Sequence, residues 1–153
     1  MTVRELMSSP AATCAQDTTV PVVARLMRDH DCGCIPVLDD NGYVVGIVTD
    51  RDICVALAVR GEGAVRLSAG EAMTAVVHTC RPGDGVADAL QVMRRFHVRR
   101  VPVVDGEGRL HGIVSVDDVA RAAGTDGAPA PAEVASAMAD ICRPRRHAPD
   151  AVA

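Results

Sequence analysis

CIPVLDDNGYVVGIVTDRDI, residues 34–53, and RVPVVDGEGRLHGIVSVDDV, residues 100–119, decide the fold of this chain. The two stretches align without a gap at an offset of 66 residues, with prolines, glycines and aspartates in register. The same offset holds upstream, where Met7 matches Met73. Compositional bias would not keep these residue types in register over about fifty residues, so the chain contains an internal duplication.

Both copies predict the same first helix. Apolar residues recur at i, i+3, i+4 and i+7 from Val20 in the first copy and from Val86 in the second, which gives each helix one apolar face. Thr18 and Asp84 are suitable N-caps because their side-chain oxygens can accept hydrogen bonds from free backbone N–H groups.

A β-hairpin and a second helix follow in each copy. Two short β-branched runs flank a turn rich in Asp and Gly, a pattern typical of a hairpin. The second helix is predicted to begin at Thr49 in the first copy and at Ser115 in the second. The predicted strands are 35–38, 43–48, 101–104 and 109–114. The apolar positions of the second helix in the first copy are Ile53, Val55, Ala56 and Val59.

These elements predict an α/β fold of the α+β type. If the residues around Thr13 and Thr79 add a leading strand, each copy is a β-α-β-β-α repeat. One repeat of roughly 60 residues buries too little apolar surface to be comfortably stable alone. We therefore expect the two repeats to pack about a pseudo-twofold axis.

The predicted domain boundaries follow the duplication. Repeat one covers residues 1–60, repeat two covers 61–124, and residues 125–153 form a flexible linker with a short amphipathic helix and a frayed tail at 143–153. The helix is predicted from three apolar residues, Val134, Met138 and Ile141. Because a segment rich in Pro, Gly and Ala cannot build a core, deletion of residues 125–153 is expected to leave the fold intact.

Composition excludes several classes of protein. The chain has 153 residues, a formal net charge of −4 and only Tyr43 and Phe96 as aromatic residues. A negative chain is a poor binder of phosphate backbones, and single-stranded nucleic acids need aromatic platforms, so no nucleic-acid partner is expected. No apolar run reaches the roughly 18 residues of a membrane span, and the first residues lack the pattern of an export signal. We expect a cytoplasmic protein with no membrane partner and with six reduced cysteines.

The same paired motif occurs in both copies. An apolar segment ends in Pro-Val-[Val/Leu]-Asp and is followed by a glycine turn and by Gly-Ile-Val-[Ser/Thr]-x-x-Asp. Over about residues 3–123 this arrangement resembles a tandem CBS domain pair, or Bateman module, of the stand-alone bacterial type. The resemblance implies regulatory binding of an adenosine-containing ligand (AMP, ADP, ATP or S-adenosylmethionine) in clefts between the repeats, with no required cofactor.

The resemblance also implies the residues of two clefts. The Ser/Thr and Asp of one copy hold the ribose and phosphates, and the other copy supplies the base pocket. The first cleft comprises Thr49, Asp52, Met73, His78, Val98, Arg99 and Arg100. The second cleft comprises Ser115, Asp118, Met7, Ala12, Cys32 and Gly33. Because the first lining carries cations and the second is small and uncharged, phosphorylated ligands are expected to prefer the first cleft.

The Ser/Thr-x-x-Asp spacing has a second interpretation. A carboxylate at a helix start can accept both hydroxyls of a ribose, while the helix N-terminus attracts phosphate. The same spacing is also a capping box, which satisfies free backbone donors without any ligand. The alternative function is therefore a ligand-free dimerisation or interaction module.

Basic residues cluster where the first helix of the second copy ends. Beside His97, Arg99 and Arg100 lie where the base and phosphate contacts of the family fall, and the planar fork of arginine suits a phosphate. Arg94 and Arg95 are assigned to the solvated helix surface, where cations meet the C-terminal end of the helix dipole.

His30, Cys32 and Cys34 provide a further alternative, a thiol or zinc sensor. Closed zinc sites prefer four ligands and Cys-x2–4-Cys spacing, whereas this chain has Cys-x-Cys, so no metal site is predicted. The sequence has neither a His pattern that activates a nucleophile nor a Gly-rich phosphate loop. The chain is therefore predicted to be a non-enzyme.

Self-association is expected from the same resemblance, because CBS pairs of this type commonly assemble two modules. We predict a homodimer that buries helix residues of both repeats, and an unidentified regulated protein as a further partner. The helix residues expected to need burial are Ile53, Ala56, Val119 and Ala122.

Overall fold

The computed structural model of the chain describes residues 1–143, apart from the side chains of residues 62, 64 and 65. Its helices and strands recur in the order that the duplication predicts. The helices are α1 (Val3–Leu6), α2 (Val20–Asp29), α3 (Asp50–Arg60), α4 (Ala69–Ala72), α5 (Val86–Phe96), α6 (Val116–Ala122) and α7 (Pro131–Ile141), with a 3-10 helix at Gly61–Arg66. The strands are β1 (Cys14–Ala15), β2 (Cys34–Leu38), β3 (Val44–Thr49), β4 (Arg100–Val104) and β5 (Leu110–Ser115).

Each repeat contains the predicted antiparallel hairpin. β2 pairs with β3 and β4 pairs with β5, so that Cys34 lies opposite Thr49 and Arg100 lies opposite Ser115. β1 adds a parallel strand to the first hairpin, whereas the equivalent segment of repeat two makes a single parallel bridge at Cys80. The α+β fold class is confirmed, and both Ser/Thr-x-x-Asp motifs lie at one end of their hairpin.

The predicted N-caps of α2 and α5 are wrong by one residue. The capping positions are Thr19 and Gly85. The side chains of Thr18 and Asp84 instead accept hydrogen bonds from backbone N–H groups three residues earlier, at 3.1 and 2.7 Å. These side chains therefore close the preceding turns, and the helices begin after them.

The two repeats exchange their leading helices. Ser8, which follows α1, exchanges backbone hydrogen bonds of 2.9 and 3.1 Å with Ile113 of β5 in repeat two. Thr74, which follows α4, bonds with Ile47 of β3 in repeat one at the same two distances. Each core is therefore completed by a helix from the sequence of the other repeat.

We call the two buried clusters core one and core two. Core one consists of Cys14, Val20, Val23, Met27, Ile35, Val37, Val48, Ile53, Leu67 and Ala69. Core two consists of Val3, Cys80, Val86, Ala89, Leu90, Met93, Val101, Val103, Val114, Val116, Val119, Val134, Ala137 and Ile141. The exchange is visible here, because Val3 of α1 belongs to core two and Ala69 of α4 belongs to core one.

Helix α7 is the short helix predicted within residues 125–153, but it contradicts the expectation that this segment contributes nothing to a core. Its buried side chains, Val134, Ala137 and Ile141, belong to core two, and the helix packs against α5 and α6. The expected frayed tail, beyond Arg143, lies outside the described residues. Within residues 1–143, no helix is long and apolar enough to cross a bilayer.

The helix faces chosen for a dimer also need correction. Ile53 and Val119 are buried inside their own repeats, so they do not need a partner chain to cover them. Val55 and Val59, predicted to share the apolar face of α3, are instead 51% and 77% exposed. Unburied apolar surface therefore lies on the outer side of α3.

Candidate ligand-binding site

Thr49 and Asp52 form a complete capping box at the start of α3. The Thr49 N–H and hydroxyl donate to Asp52 Oδ2 at 2.8 and 2.7 Å, and the Asp52 N–H lies 3.2 Å from Thr49 Oγ1. Asp52 is half-buried. Among the described residues, no group donates to its second oxygen, Oδ1, which leaves one carboxylate oxygen for a ligand hydroxyl.

Ser115 and Asp118 form the equivalent box at the start of α6, with one difference. Asp118 Oδ2 accepts from the Ser115 N–H and hydroxyl at 2.8 and 2.6 Å. Asp118 Oδ1 is engaged by the guanidinium of Arg121 in an ion pair, and the Asp118 residue is only 7% exposed. Both oxygens of Asp118 are therefore already occupied.

A methionine lies beside each of the two strands that lead into the capping boxes. Met73 contacts the strand position at Gly46, three residues before Thr49, where any side chain would collide with it. Met7 takes the equivalent place at Gly112, where an added Cβ would lie 3.0 Å from the methionine sulfur. The exchange of leading helices thus places Met73 beside the strand that ends at Thr49, and Met7 beside the strand that ends at Ser115.

His78 takes part in an aromatic stack. Its ring lies 3.5 Å from the ring of Phe96, centroid to centroid, with an interplanar angle of 9°. The guanidinium carbon of Arg95 lies 5.3 Å from the same Phe96 centroid. The equivalents in repeat one, Ala12 and His30, have no such stack among the described residues, so this planar surface belongs to repeat two.

The arginines that open β4 point in different directions. Arg99 is exposed, and its guanidinium lies 3.9 Å from the carboxylate of Asp117. Arg100 reaches across to repeat one, where a Cβ added to Gly33 would lie 3.4 Å from Arg100 Nη2 and 2.9 Å from Asp50 Oδ2. The expectation of an uncharged surface at Gly33 is therefore wrong, because Arg100 and Asp50 both flank that glycine.

The remaining predicted residues pack against the cores. Val98 lies against core two, whereas Ala12 and Cys32 lie against core one. The Cys32 thiol donates to the carbonyl oxygen of Cys34 at 3.4 Å. The structure therefore gives these three uncharged residues a packing role, and their place in a cleft stays a prediction.

The cysteines do not form a metal site among the described residues. No group of three His, Cys, Asp or Glu side chains in residues 1–143 converges as metal ligands. Burial raises the pKa of the Cys34 thiol to about 11, although nearby Arg100 acts in the opposite direction. Cys34 is therefore a protonated thiol at neutral pH and a poor nucleophile.

Sequence reasoning missed Asp50, Arg121 and Phe96. Each stands where the duplication is broken: Asp50 is equivalent to Val116, Arg121 to Val55, and Phe96 to His30. Reading the aligned repeats for positions that differ, as well as for those that agree, would have found them.

Comparison with known proteins gives the family. The CBS domain model matches residues 3–59 and 69–124. Hypoxic response protein 1 of Mycobacterium tuberculosis is 33% identical over 120 residues, which are 78% of this chain and 83% of that protein.

Solved structures of similar proteins include ligand complexes. The CBS domain pair of protein MJ0100, in complex with 5′-methylthioadenosine and S-adenosyl-L-methionine, has a TM-score of 0.73 and 30% identity, and covers 79% of this chain and 94% of its own. CBSX2 in complex with AMP has a TM-score of 0.70 and 28% identity, with 79% and 94% covered. Hypoxic Response Protein I with two coordinated zinc ions has a TM-score of 0.71 and 33% identity, with 79% and 98% covered. Because the CBS domain model matches the chain twice and the architecture is shared, the chain belongs to the CBS domain family as a tandem pair, or Bateman module.

Proposed function

We propose that this protein is a stand-alone regulatory CBS pair that binds an adenosine-containing ligand between its repeats. Similar CBS pairs hold AMP, S-adenosylmethionine or 5′-methylthioadenosine, which supports this class of ligand. Ligand occupancy regulates the protein by favouring one of its conformations or associations, because a ligand shifts an equilibrium only through unequal affinity for the states. No catalytic step is assigned to the chain.

One observation carries the choice of cleft: Asp52 Oδ1 has no donor in residues 1–143, while Asp118 Oδ1 is engaged by Arg121. A ribose needs acceptor oxygens for its two hydroxyls, and Asp52 can supply one without breaking an ion pair. Arg100, which flanks Gly33 together with Asp50 at the start of α3, adds one cation that can reach a phosphate. Arg99 adds a second when it leaves its 3.9 Å pairing with Asp117. We therefore place a phosphorylated adenosine ligand, AMP, ADP or ATP, at the Thr49 box.

Calorimetric titration with AMP, ADP, ATP and S-adenosylmethionine tests the proposal. We expect one dominant nucleotide site per chain. Asp52→Ala abolishes binding because it removes the ribose acceptor, and Arg99→Ala or Arg100→Ala weakens it by about tenfold, in line with a charge-assisted hydrogen bond. Asp118→Ala, the matched control in the other box, leaves the affinity nearly unchanged.

Two results would contradict this assignment. Two sites of equal affinity would show that the clefts are equivalent, and a greater loss from Asp118→Ala than from Asp52→Ala would show that the ligand lies at the Ser115 box. A thermal-shift screen with the same compounds checks binding independently, because a ligand that binds only the native state raises stability.

The second candidate is a ligand-free dimerisation module. Its support is that both capping boxes are complete without any ligand, so the motifs already have a structural role. Absence of binding by every adenosine compound, combined with a dimer in solution, would favour this candidate. The thiol or zinc sensor has weaker support, since Cys34 is buried and the described residues offer no group of metal ligands.

A further inference from the structure

A concave cationic surface lies where the end of α5 meets α7. The cavity has a volume of about 380 Å³ and is separate from both capping boxes. It is lined by Gln91, Arg94, Arg95, His97, Asp140 and Arg143. Four of these six side chains are basic or can become cationic, and one is acidic.

The single carboxylate cannot neutralise the arginines around it. Asp140 Oδ2 is engaged by Arg94 Nε, and Asp140 Oδ1 lies 2.9 Å from Arg143 Nη2. Arg95 has no carboxylate partner within residues 1–143, and its guanidinium lies over the ring of Phe96. The three guanidinium groups therefore exceed the one carboxylate by two formal charges.

The equivalent position in repeat one has a balanced charge. Arg28 corresponds to Arg94, and the residue after it is Asp29, which binds Arg28 at 2.7 and 2.9 Å. In repeat two the place of Asp29 is taken by Arg95. The excess of positive charge is thus local to repeat two, in a chain whose net charge is −4.

We infer that this surface, which we call the α5–α7 site, binds a small phosphate-bearing anion. Guanidinium groups present paired N–H donors that match two phosphate oxygens, and an anion here is attracted by charge that Asp140 leaves unneutralised. The volume is large enough for a pyrophosphate. The C-terminal end of α5 alone would repel an anion, so the attraction must come from the arginines. This inference does not depend on the adenosyl site in the clefts.

Calorimetric titration with inorganic pyrophosphate, at about 50 mM salt, tests the α5–α7 site. We expect saturable binding that weakens as salt is raised, because the groups are partly exposed. Arg95→Gln weakens binding by about three- to fivefold, and Arg95→Asp, which reproduces the charge of repeat one, abolishes it. Neither variant removes a contact with Asp140. Both remove the exposed contact of Arg95 with the Phe96 ring, so the melting temperature falls by at most a few degrees. Arg28→Gln is the matched control and leaves the affinity unchanged.

A second arm separates this site from the clefts and identifies the source of the phosphate. Pyrophosphate binding persists in the Arg100→Ala variant, which lacks a cation proposed to hold phosphate in the first cleft. In the Asp52→Ala variant, ATP competes with pyrophosphate if the phosphate chain of a nucleotide is also accepted. ATP that does not compete identifies free polyphosphate as the ligand. Loss of pyrophosphate binding in Arg100→Ala, equal affinity of the wild type and Arg95→Asp, or no binding to the wild type would overturn the inference.

Discussion

Helices α3 and α6 occupy equivalent places in the two repeats, but among the described residues only α6 packs against a long helix from the C-terminal segment, α7. Across α6 and α5 lies α7, whose buried side chains complete core two. Helix α3 is contacted by α2, α4 and the 3-10 helix at Gly61–Arg66, but its side chains Val55, Leu57 and Val59 remain exposed. A docked helix thus covers the outer surface of repeat two, whereas repeat one leaves three apolar side chains exposed, and we propose that a second copy covers them.

The capping boxes of the two repeats also share a common part and differ in one part. Their backbone hydrogen bonds are nearly identical, within 0.1 Å, because a helix start needs the same donors satisfied in both repeats. The second carboxylate oxygen, Oδ1, differs between the boxes. Arg121 engages Asp118 Oδ1, whereas no described residue donates to Asp52 Oδ1. Duplication has thus kept the structural part of the motif and altered the part that a ligand can reach.

Removal of α7 gives the largest expected effect. Deleting residues 125–153 uncovers the part of core two that Val134, Ala137 and Ile141 seal, at a cost of about 4 kcal/mol in the free energy of unfolding. Urea denaturation measures the loss. Deleting only residues 144–153 is the control, because it removes none of the described contacts of α7. Equal stability of the long deletion and the full chain would show that core two does not need this helix.

Self-association through α3 comes next. Light scattering should give twice the 16.0 kDa chain mass at tens of micromolar. The double variant Val55→Asp, Val59→Asp should be monomeric, because it places two charges in the apolar surface. Ala120→Asp, an exposed position on α6, should remain dimeric. A dimer that resists the first variant and dissociates with the second would move the interface to repeat two.

The caps are expected to rank oppositely in stability and in ligand binding. Asp52→Ala removes a capping acceptor and costs about 1 kcal/mol. Asp118→Ala costs about 2 kcal/mol, because this carboxylate is buried and also binds Arg121. Chemical denaturation of both variants, without ligand, gives the ranking. Equal losses would mean that the Arg121 ion pair contributes nothing.

The smallest difference between the repeats concerns two equivalent buried thiols. Burial raises the pKa of Cys14 to about 11 and that of Cys80 to about 12, from a usual value of 9.0. Above pH 9 the unfolded thiol ionises while the folded thiol stays protonated, so the unfolding free energy falls as pH rises. Each thiol should contribute a loss of about 1 kcal/mol by pH 10.

Unfolding experiments between pH 8 and 11 test this pH dependence. Cys14→Ala and Cys80→Ala should each reduce the pH dependence by a similar amount, whatever their baseline stability. A variant that leaves the slope unchanged would show that its thiol titrates normally in the folded chain.

Local sequence signals predicted the hairpins well. Gly42 and Gly108 adopt φ values of +83° and +91°, which glycine tolerates and most other residues do not. Asp39 and Asp105 each accept backbone N–H groups in these turns, at 2.9 to 3.0 Å. Turn chemistry of this kind involves residues within a few positions of one another, so sequence spacing reveals it.

Contacts between distant segments could not be predicted in the same way. Nothing in the periodicity of α1 indicates that Val3 belongs to core two, and the Pro- and Ala-rich composition before α7 gave a false signal of a spacer. The contact of Arg100 with the Gly33 region likewise depends on how the hairpins meet. The candidate site was therefore predictable as two motifs, whereas its charges at the junction required the packed structure.

The exchange of α1 and α4 sets the order in which the two cores can close during synthesis. Core one draws its last element, α4, from just after repeat one, so it can close while the rest of the chain is still being made. Core two must wait for β5 before α1, the first helix made, has its partner strand, and Val3 stays unprotected until then. Such distant pairing slows folding and prolongs exposure of apolar surface. A ribosome-bound chain therefore carries one finished half and one unfinished half, and the clefts between them exist only after translation has passed α6.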